Sequence, residues 1–323
     1  MRLNLSLFEL RANMIVTLLV IIGFTTLLIF GIFALVGVTN IVLVVSIVAL
    51  INIVEWLFGP KLIDRMYHTR PVKEGELPEV SSAVKRIAQK AGIKEPKLVV
   101  ADIDMPNAFA YGSPLSGSKV AVTRGLLRIL NPDEVEAVLG HELGHLKHRD
   151  VQVMMVVSIL PAILYYIAYI FMINSFFDQR NNAGVMVIIG IIAFLGYMVL
   201  SLLMLAFSRM RESYADFHST QVVDNGARKL SSALAKLYIY SSITSKRKPK
   251  ESKQAGTMRA LFIVDPSSIN ADDLKALSAD EALEYIMNRK TTFTDRIEEM
   301  LSTHPNIVKR INNLKKISES QAF

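Results

Sequence analysis

An α+β domain carried on four transmembrane helices is what this sequence predicts, and three observations lead there. Four long apolar runs punctuate the chain in two pairs. Two polar blocks, with helix and strand signals between them, alternate with those pairs. The 323 residues are 51% hydrophobic with a mean hydropathy of +0.36. That is too apolar for an ordinary soluble protein and too charged for a pure membrane bundle.

Composition also sets exclusions. There is no cysteine, so disulfides, cysteine metal ligands and a thiol nucleophile are ruled out. Any metal must be held by His, Asp or Glu. The net charge of +7 sits largely in the flanks of the apolar runs and in one linker, which points to a membrane surface. No nucleic-acid motif is present, and nucleic acid is not an expected partner.

Residues 13–54 hold no charge. At about 20 residues per crossing this makes two spans. The stretch Gly37-Val38-Thr39-Asn40 divides them into 14–36 and 41–58, and Glu55 is the single charge in the second. The first run is too long for a signal-peptide core and has no small-residue cleavage site after it, so it reads as a retained anchor. Residues 151–177 and 184–207 form the second uncharged pair, separated by Asp178-Gln179-Arg180-Asn181-Asn182. Pro161 is tolerable inside a membrane helix. The organisation is then a first hairpin in 1–58, a polar block in 59–150, a second hairpin in 151–207 and a second block in 208–323. Orientation follows from arginine and lysine placement. Arg2, Arg11, Lys61, Arg65, Lys147, Arg149, Arg209 and Arg211 flank the spans on one side, while the loops between paired spans hold only Arg180, balanced by Asp178. Both termini and both blocks are therefore expected in the cytoplasm of a multi-pass protein of the cell membrane.

In the first block, 81–91 has helical periodicity, and 98–103 and 119–123 read as strands. Between the strands lies Asn107-Ala108-Phe109-Ala110-Tyr111-Gly112, bounded by Pro106 and Pro114 as an edge strand would be. Residues 124–131 read as a short helix and turn. The next helix start is well marked: Asn131 caps it, Pro132 takes the first helical position and Glu134 completes a capping box. That helix is expected to run through Asp150 toward the third span. In the second block, 209–223 and 231–240 are helical in pattern. The stretch 246–254 is a basic linker, and Pro305 opens a last helix over 306–317.

The chemistry concentrates at His141-Glu142-Leu143-Gly144-His145. Histidines four apart share a helix face, so both imidazoles reach one ion. The carboxylate of Glu142 between them is placed to take a proton from a water at such an ion. A third ligand must come from the second block, and Glu212 is best placed. His145 stands about 9 Å of helix before the third span, and Glu212 about 7.5 Å past the fourth, so one hairpin returns both to similar height. The bland alternative pairs Glu212 with an arginine. Asp216, one turn on, suits a partner that fixes a ligand histidine, with Asp150 a weaker competitor for that task. His68, His148 and His218 read as ordinary surface or packing histidines.

At these residues the chain resembles HtpX-type membrane proteases, of the peptidase family that also contains the CAAX type I prenyl-protein and OMA-type proteases. The matching residues are His141-Glu142-Leu143-Gly144-His145, Ser208-Arg209-Met210-Arg211-Glu212-Ser213-Tyr214-Ala215-Asp216, Pro106-Asn107-Ala108-Phe109-Ala110, Ser302-Thr303-His304-Pro305 and Arg310-Ile311. Together with the four spans they extend over most of the chain. The resemblance implies a gluzincin-like fold with His141, His145 and Glu212 on one zinc ion per chain and Glu142 as general base. It implies Asn107, Ala108, Phe109 and Ala110 as the edge that binds extended peptide, and a role in membrane-protein quality control. It also places the loop of His304 near the active site; there two tasks are open to this residue, oxyanion donor or fourth, gating ligand, and a histidine capping its own helix is the plain alternative. Tyr111 departs from the small polar residue common in similar proteins, and the basic linker is not part of the shared motifs.

The expected reaction is endopeptide hydrolysis of membrane-protein or peptide substrates beside the lipid bilayer. Two rivals remain. In one the motif lies within the lipid, which the polar helix residues Asp133, Glu134, Glu136, Lys147 and Arg149 oppose. In the other the chain is a catalytically silent scaffold or metal-binding adaptor, which would not need Glu142. A reporter fused after Arg65 or at the C-terminus should read cytoplasmic, and one at Asn181 external; an external C-terminus overturns both the orientation and the span count.

Overall fold

A computed structural model of the chain describes residues 41–177, 182–247, 279–289 and 292–321, with positions 10, 12–17, 19–21, 23–24 and 28. The chain falls into two compact units, one made chiefly of Leu57–Val151 with Arg209–Phe323, the other of Asn4–Trp56 with Gln152–Ser208. The described elements are α1 (Ile41–Met66), β1 (Thr69–Pro71), α2 (Pro78–Ala91), β2 (Lys97–Ala101), β3 (Ala108–Ser113), β4 (Gly117–Thr123), α3 (Arg124–Ile129), α4 (Pro132–Lys147), α5 (Asp150–Phe177), α6 (Ala183–Val222), α7 (Gly226–Arg247), α8 (Ala279–Asn288), α9 (Phe293–Met300) and α10 (Ile307–Gln321).

The first unit holds a mixed sheet in the order β1-β2-β4-β3. β2 runs parallel to β4, with Lys97 opposite Lys119 and Ala101 opposite Thr123. β3 is antiparallel to β4, with Ala108 opposite Val122 and Ala110 opposite Val120. Strand side chains alternate between faces. Ala108, Val120 and Val122 therefore join the main core with Val84 and Ile87 of α2, Val138 and Leu139 of α4, and Leu230 and Leu234 of α7. Phe109, Tyr111 and Ala121 turn to the other face and pack with Tyr67, Val99 and Ala101.

A carboxylate at the end of α1 pins that second face. Asp64 accepts from Thr69 Oγ1 at 2.6 Å, Tyr111 Oη at 2.6 Å and Lys119 Nζ at 2.5 Å. Burial pushes the Asp64 carboxyl up, but Lys119 and the two hydroxyls outweigh it and hold it below the usual carboxylate range. Tyr111, the departure from the family pattern, is thus an anchoring residue, with its ring on the face away from Ala108 and Ala110.

α4 begins as its sequence signature requires. Asn131 Oδ1 accepts from Glu134 N and Glu134 Oε2 from Asn131 N, both at 2.9 Å, with Pro132 in the first turn. Its charged face ties it to its neighbours: Glu136 pairs with Arg86 of α2 and Lys229 of α7, and Glu134 with Lys236 of α7. The helix does not run on through Asp150, contrary to the sequence expectation. It stops at Lys147, with His148 as C-cap. Arg149 takes a left-handed φ of 55°, and α5 starts afresh at Asp150. Nothing in local propensity marks this break, because arginine is a good helix former.

Strand β1 and helices α8 and α9 are absent from the sequence reading, although Thr292 and Asp295 form a capping box at the start of α9. Lys246 and Arg247, assigned to the basic linker, close α7 instead; residues 248–254 of that linker lie outside the described residues. The last helix is Ile307–Gln321, preceded by Pro305.

In the second unit, Val157, Ile163, Leu164 and Ile167 of α5 pack with Ile189, Ala193 and Leu200 of α6, while Ile188 and Leu195 are among the exposed apolar side chains. Among the described residues, α5 and α6 are long and apolar enough to cross a membrane. The expected span 14–36 lies largely outside the described residues, and 41–58 falls within α1.

Within the first unit, α4 approaches α6 closely because Gly140 and Gly144 lack side chains. A Cβ on Gly140 would stand 2.8 Å from Val223 Cγ2 and 2.9 Å from Ser219 Oγ, the hydroxyl that donates to Ala137 O at 2.7 Å. Gly140→Ala should cost about 1–3 kcal/mol through overpacking, read as a lower melting temperature in detergent. Asp224→Ala at the exposed end should stay within about 0.5 kcal/mol. An unchanged melting temperature for Gly140→Ala would show that the helices do not meet there.

Candidate active site

α4 turns the face carrying His141, Glu142 and His145 inward, so that His141 and Glu142 are buried and His145 nearly so. α6 brings Glu212 and Asp216 to the same place, and the segment before α10 brings His304. Three donor groups converge. His141 Nε2 and His145 Nε2 are 3.2 Å apart. Glu212 Oε2 lies 3.4 Å from His141 Nε2, and Oε1 3.4 Å from His145 Nε2. Tetrahedral zinc with bonds of about 2.0–2.1 Å would set its donors about 3.3–3.4 Å apart. The observed triangle matches that spacing. Glu212 Oε2 is also a buried oxygen with no donor in hydrogen-bond geometry, a costly state unless a cation compensates it. The donor set and its spacing fit a divalent metal ion.

Each histidine is aimed by its other nitrogen. Asp216 Oδ1 stands 2.9 Å from His141 Nδ1. Arg310 grips that carboxylate with two donors, Nε to Oδ2 at 2.8 Å and Nη2 to Oδ1 at 2.6 Å. Asp150 Oδ2 stands 2.6 Å from His145 Nδ1 and its other oxygen pairs with Arg211. The sequence ranked Asp150 behind Asp216 for this task; the structure gives each histidine its own aspartate. Both nearby arginines are engaged by those aspartates. Arg310 comes only within 4.0 Å of Glu212, so the reading of Glu212 as a mere arginine partner does not fit.

The electrostatics follow from burial and these contacts. Burial alone would raise the Glu212 carboxyl, yet the charges of His304 and His145, with the His141 imidazole beside them, hold it well below the usual range. Burial would likewise lift Asp216, but Arg310 and His141 hold it down to about 2. Burial disfavours the charged imidazoles of His141 and His145, and the surrounding carboxylates more than restore them. Glu142 is different. Burial pushes its carboxyl up and the histidine charges offset this only in part. That direction suits a group that takes and returns a proton near neutrality.

Glu142 also meets the edge strand: its Oε2 accepts from Ala110 N at 3.0 Å. β3 is the last strand of its sheet, with β4 on one side, and Thr123 N donates across to Asn107 O at 3.0 Å. Of the edge residues singled out in the sequence, Ala108 and Ala110 face α4 and the candidate site. Phe109 offers only backbone, because its ring packs 4.7 Å from that of Tyr67 on the far face. Asn107 is buried, with its N–H donating to Thr123 Oγ1 at 2.8 Å.

The other histidines sort by contact. His148 packs edge-on against Tyr214 at 4.3 Å and His218 at 5.3 Å. His218 lies against Gly144, and His68 is exposed. His304 does not cap its helix: Asn306 Oδ1 accepts from Val308 N at 2.9 Å. Instead its Nε2 points to Glu212 Oε2, 3.7 Å away. Arg209 fixes the preceding turn by donating to Met300 O at 3.1 Å and Ser302 O at 2.9 Å. Arg211 reads in the sequence as a membrane-flanking charge and Arg310 only as a matching residue; their hold on the two aspartates is recognisable only once those carboxylates are located.

His304→Ala separates the two tasks open to it. If the imidazole donates to a developing oxyanion, kcat should fall by about 10²–10³ with metal retained. If it is a gating ligand, activity should rise. Turnover at the parental level would exclude both.

A family model described as Peptidase family M48 matches residues 75–318. The chain is 39% identical over 273 residues to a protein named Protease HtpX homolog from Thermoplasma acidophilum, covering 83% of each chain. It is 39% identical over 274 residues to a protein of the same name from Aeropyrum pernix, covering 82% of this chain and 83% of that one. Among solved structures, the crystal structure of S. mikatae Ste24p aligns with a TM-score of 0.55 at 16% identity, covering 96% of this chain and 67% of that one, which is a likeness of fold. With the matched region running from ahead of α2 into α10 and so enclosing every residue of the candidate site, this chain belongs to peptidase family M48 and within it resembles the HtpX-type proteins.

Proposed function

We propose that the protein is a membrane-bound zinc endopeptidase that cleaves extended segments of misfolded or damaged membrane proteins. The observation that carries the reading is the donor triangle of His141, His145 and Glu212, with edges of 3.2–3.4 Å. A bound zinc ion would supply Lewis-acid polarisation of the scissile carbonyl and acidify water. Glu142, held by Ala110 N–H, would remove a proton from the attacking water and return it to the leaving amine. An extended peptide would add to the open edge of β3 through backbone hydrogen bonds, with alternate side chains directed toward α4.

The membrane assignment draws on the apolar length of α5 and α6 and on the arginine and lysine asymmetry of the sequence. The four apolar runs of the sequence support four spans, and that asymmetry supports a cytoplasmic site. The quality-control substrates are the role that the resemblance of the sequence motifs to HtpX-type membrane proteases implies. The polar residues of α4 favour a site outside the hydrocarbon, since Glu134 and Glu136 are tied to α2 and α7.

Glu142→Gln should abolish casein hydrolysis by the detergent-solubilised protein while leaving about one zinc per chain, because this carboxylate is not a ligand. His141→Ala and Glu212→Ala should lose both metal and activity, and a chelator should silence the parent. Metal-free Glu142→Gln at saturating zinc would sink the division between base and ligand. A zinc-loaded parent without proteolysis would favour a metal-binding scaffold.

A further inference from the structure

We propose that Asp150, gripped by Arg211, is a positioning residue for His145: it fixes which imidazole nitrogen carries the proton and where the other one points. The inference rests on the metal-site reading above and carries the Asp150–His145 contact further, to the affinity and ligand geometry of the site.

The break after α4 carries the argument. On an uninterrupted helix, a residue five positions after His145 would sit about 140° around the axis and about 7.5 Å along it. Its carboxylate would face away from the imidazole. Here the chain leaves the helix at His148, and Arg149 adopts φ 55°, a conformation that non-glycine residues rarely take. The turn swings Asp150 back, and Oδ2 arrives 2.6 Å from His145 Nδ1. Nδ1–H then donates to the carboxylate, and the Nε2 lone pair is left facing His141 Nε2 at 3.2 Å and Glu212 Oε1 at 3.4 Å.

Asp150 does not stand alone. It is a buried carboxylate, and its second oxygen pairs with Arg211, which is buried too. Arg211 immediately precedes Glu212 on α6. One short segment therefore supplies both a candidate ligand and the cation that holds the partner of another. The arrangement parallels Arg310–Asp216–His141 on the opposite side, built from different elements: α6 and α10 there, the start of α5 and α6 here. Asp150 is also the first residue of α5, where a carboxylate stabilises a helix N-terminus whatever else it touches. A purely structural role of that kind is what the experiment must separate.

The full chain in detergent, carrying Glu142→Gln to prevent self-cleavage, is titrated with zinc against a competing chelator. Asp150→Asn, which preserves shape and removes charge, should weaken zinc binding about 10–100-fold. Asp150→Ala should weaken it at least as much, and Arg211→Gln should weaken it in the same direction. Cobalt-loaded Asp150→Asn should show altered visible ligand-field bands. Asn131→Ala, which removes the cap of α4 far from the donors, should lower the melting temperature while leaving zinc affinity and cobalt bands unchanged. If Asp150→Asn melts earlier yet binds zinc within about twofold of its parent, Asp150 is only a helix-terminal charge and the inference falls. A parent that takes up no zinc overturns the proposed function and this inference with it.

Discussion

The buried carboxylate of Glu212 constrains everything around it. An ionised carboxylate withdrawn from water is expensive unless it is compensated. No lysine or arginine among the described residues approaches it more closely than the 4.0 Å of Arg310. Its near neighbours are imidazoles: His141, His145 and His304 at 3.4, 3.4 and 3.7 Å. These imidazoles already favour the ionised carboxylate, and a cation at the centre of the cluster would take up the same oxygens and ring nitrogens. The same arrangement that burdens folding creates affinity for a metal ion, because the donors are already desolvated and oriented.

The surrounding fold can be understood as what is needed to hold that cluster. α4 must present His141 and His145 on one face, and it must lie near enough to α6 for a glutamate to reach both. Gly140 and Gly144 permit the approach. The hydroxyl of Ser219 fastens α6 to the backbone of α4 at Ala137. The first half of α4 is tied to α2 and α7 by Glu134 and Glu136, and its apolar residues join the sheet through Val120 and Val122. Two arginine–aspartate pairs then aim the imidazoles. Burying four charges for this purpose adds little to net stability. What it gives is direction, since a metal site depends on where the nitrogen lone pairs point.

Glu142 links this cluster to the sheet. Its carboxylate faces the donors on one side and receives the N–H of Ala110 on the other. The strand that could bind an extended chain and the group that could move a proton are therefore one hydrogen bond apart. That proximity comes from β3 being the outer strand, and from the two-residue period that turns Ala108 and Ala110 toward α4 while Phe109 and Tyr111 pack with Tyr67 beneath. Small residues on the near face leave the edge accessible, and aromatic residues on the far face make it rigid.

The sequence by itself determined what depends on near neighbours along the chain. The capping box of Asn131 and Glu134 and the i,i+4 histidines are set by helix geometry over a few residues, so their spacing is sufficient to read them. The strands around 98–103 and 119–123 and the edge at 107–112 were legible for the same reason, through strand-forming residue types and flanking prolines. Glu212 was reachable because a hairpin of known rise returns its ends to similar height. The tertiary structure alone decided the rest. Arg149 gives no local sign that the helix ends there, since a left-handed turn at arginine persists only when contacts elsewhere over-determine it. The choice of Asp150 for His145 and Asp216 for His141, and of Arg211 and Arg310 to hold them, depends on side chains as far as 94 positions apart meeting in a buried volume. No periodicity encodes such a meeting: it follows from how α4, α6 and α10 pack, and from the rule that each charge buried by that packing must find a partner.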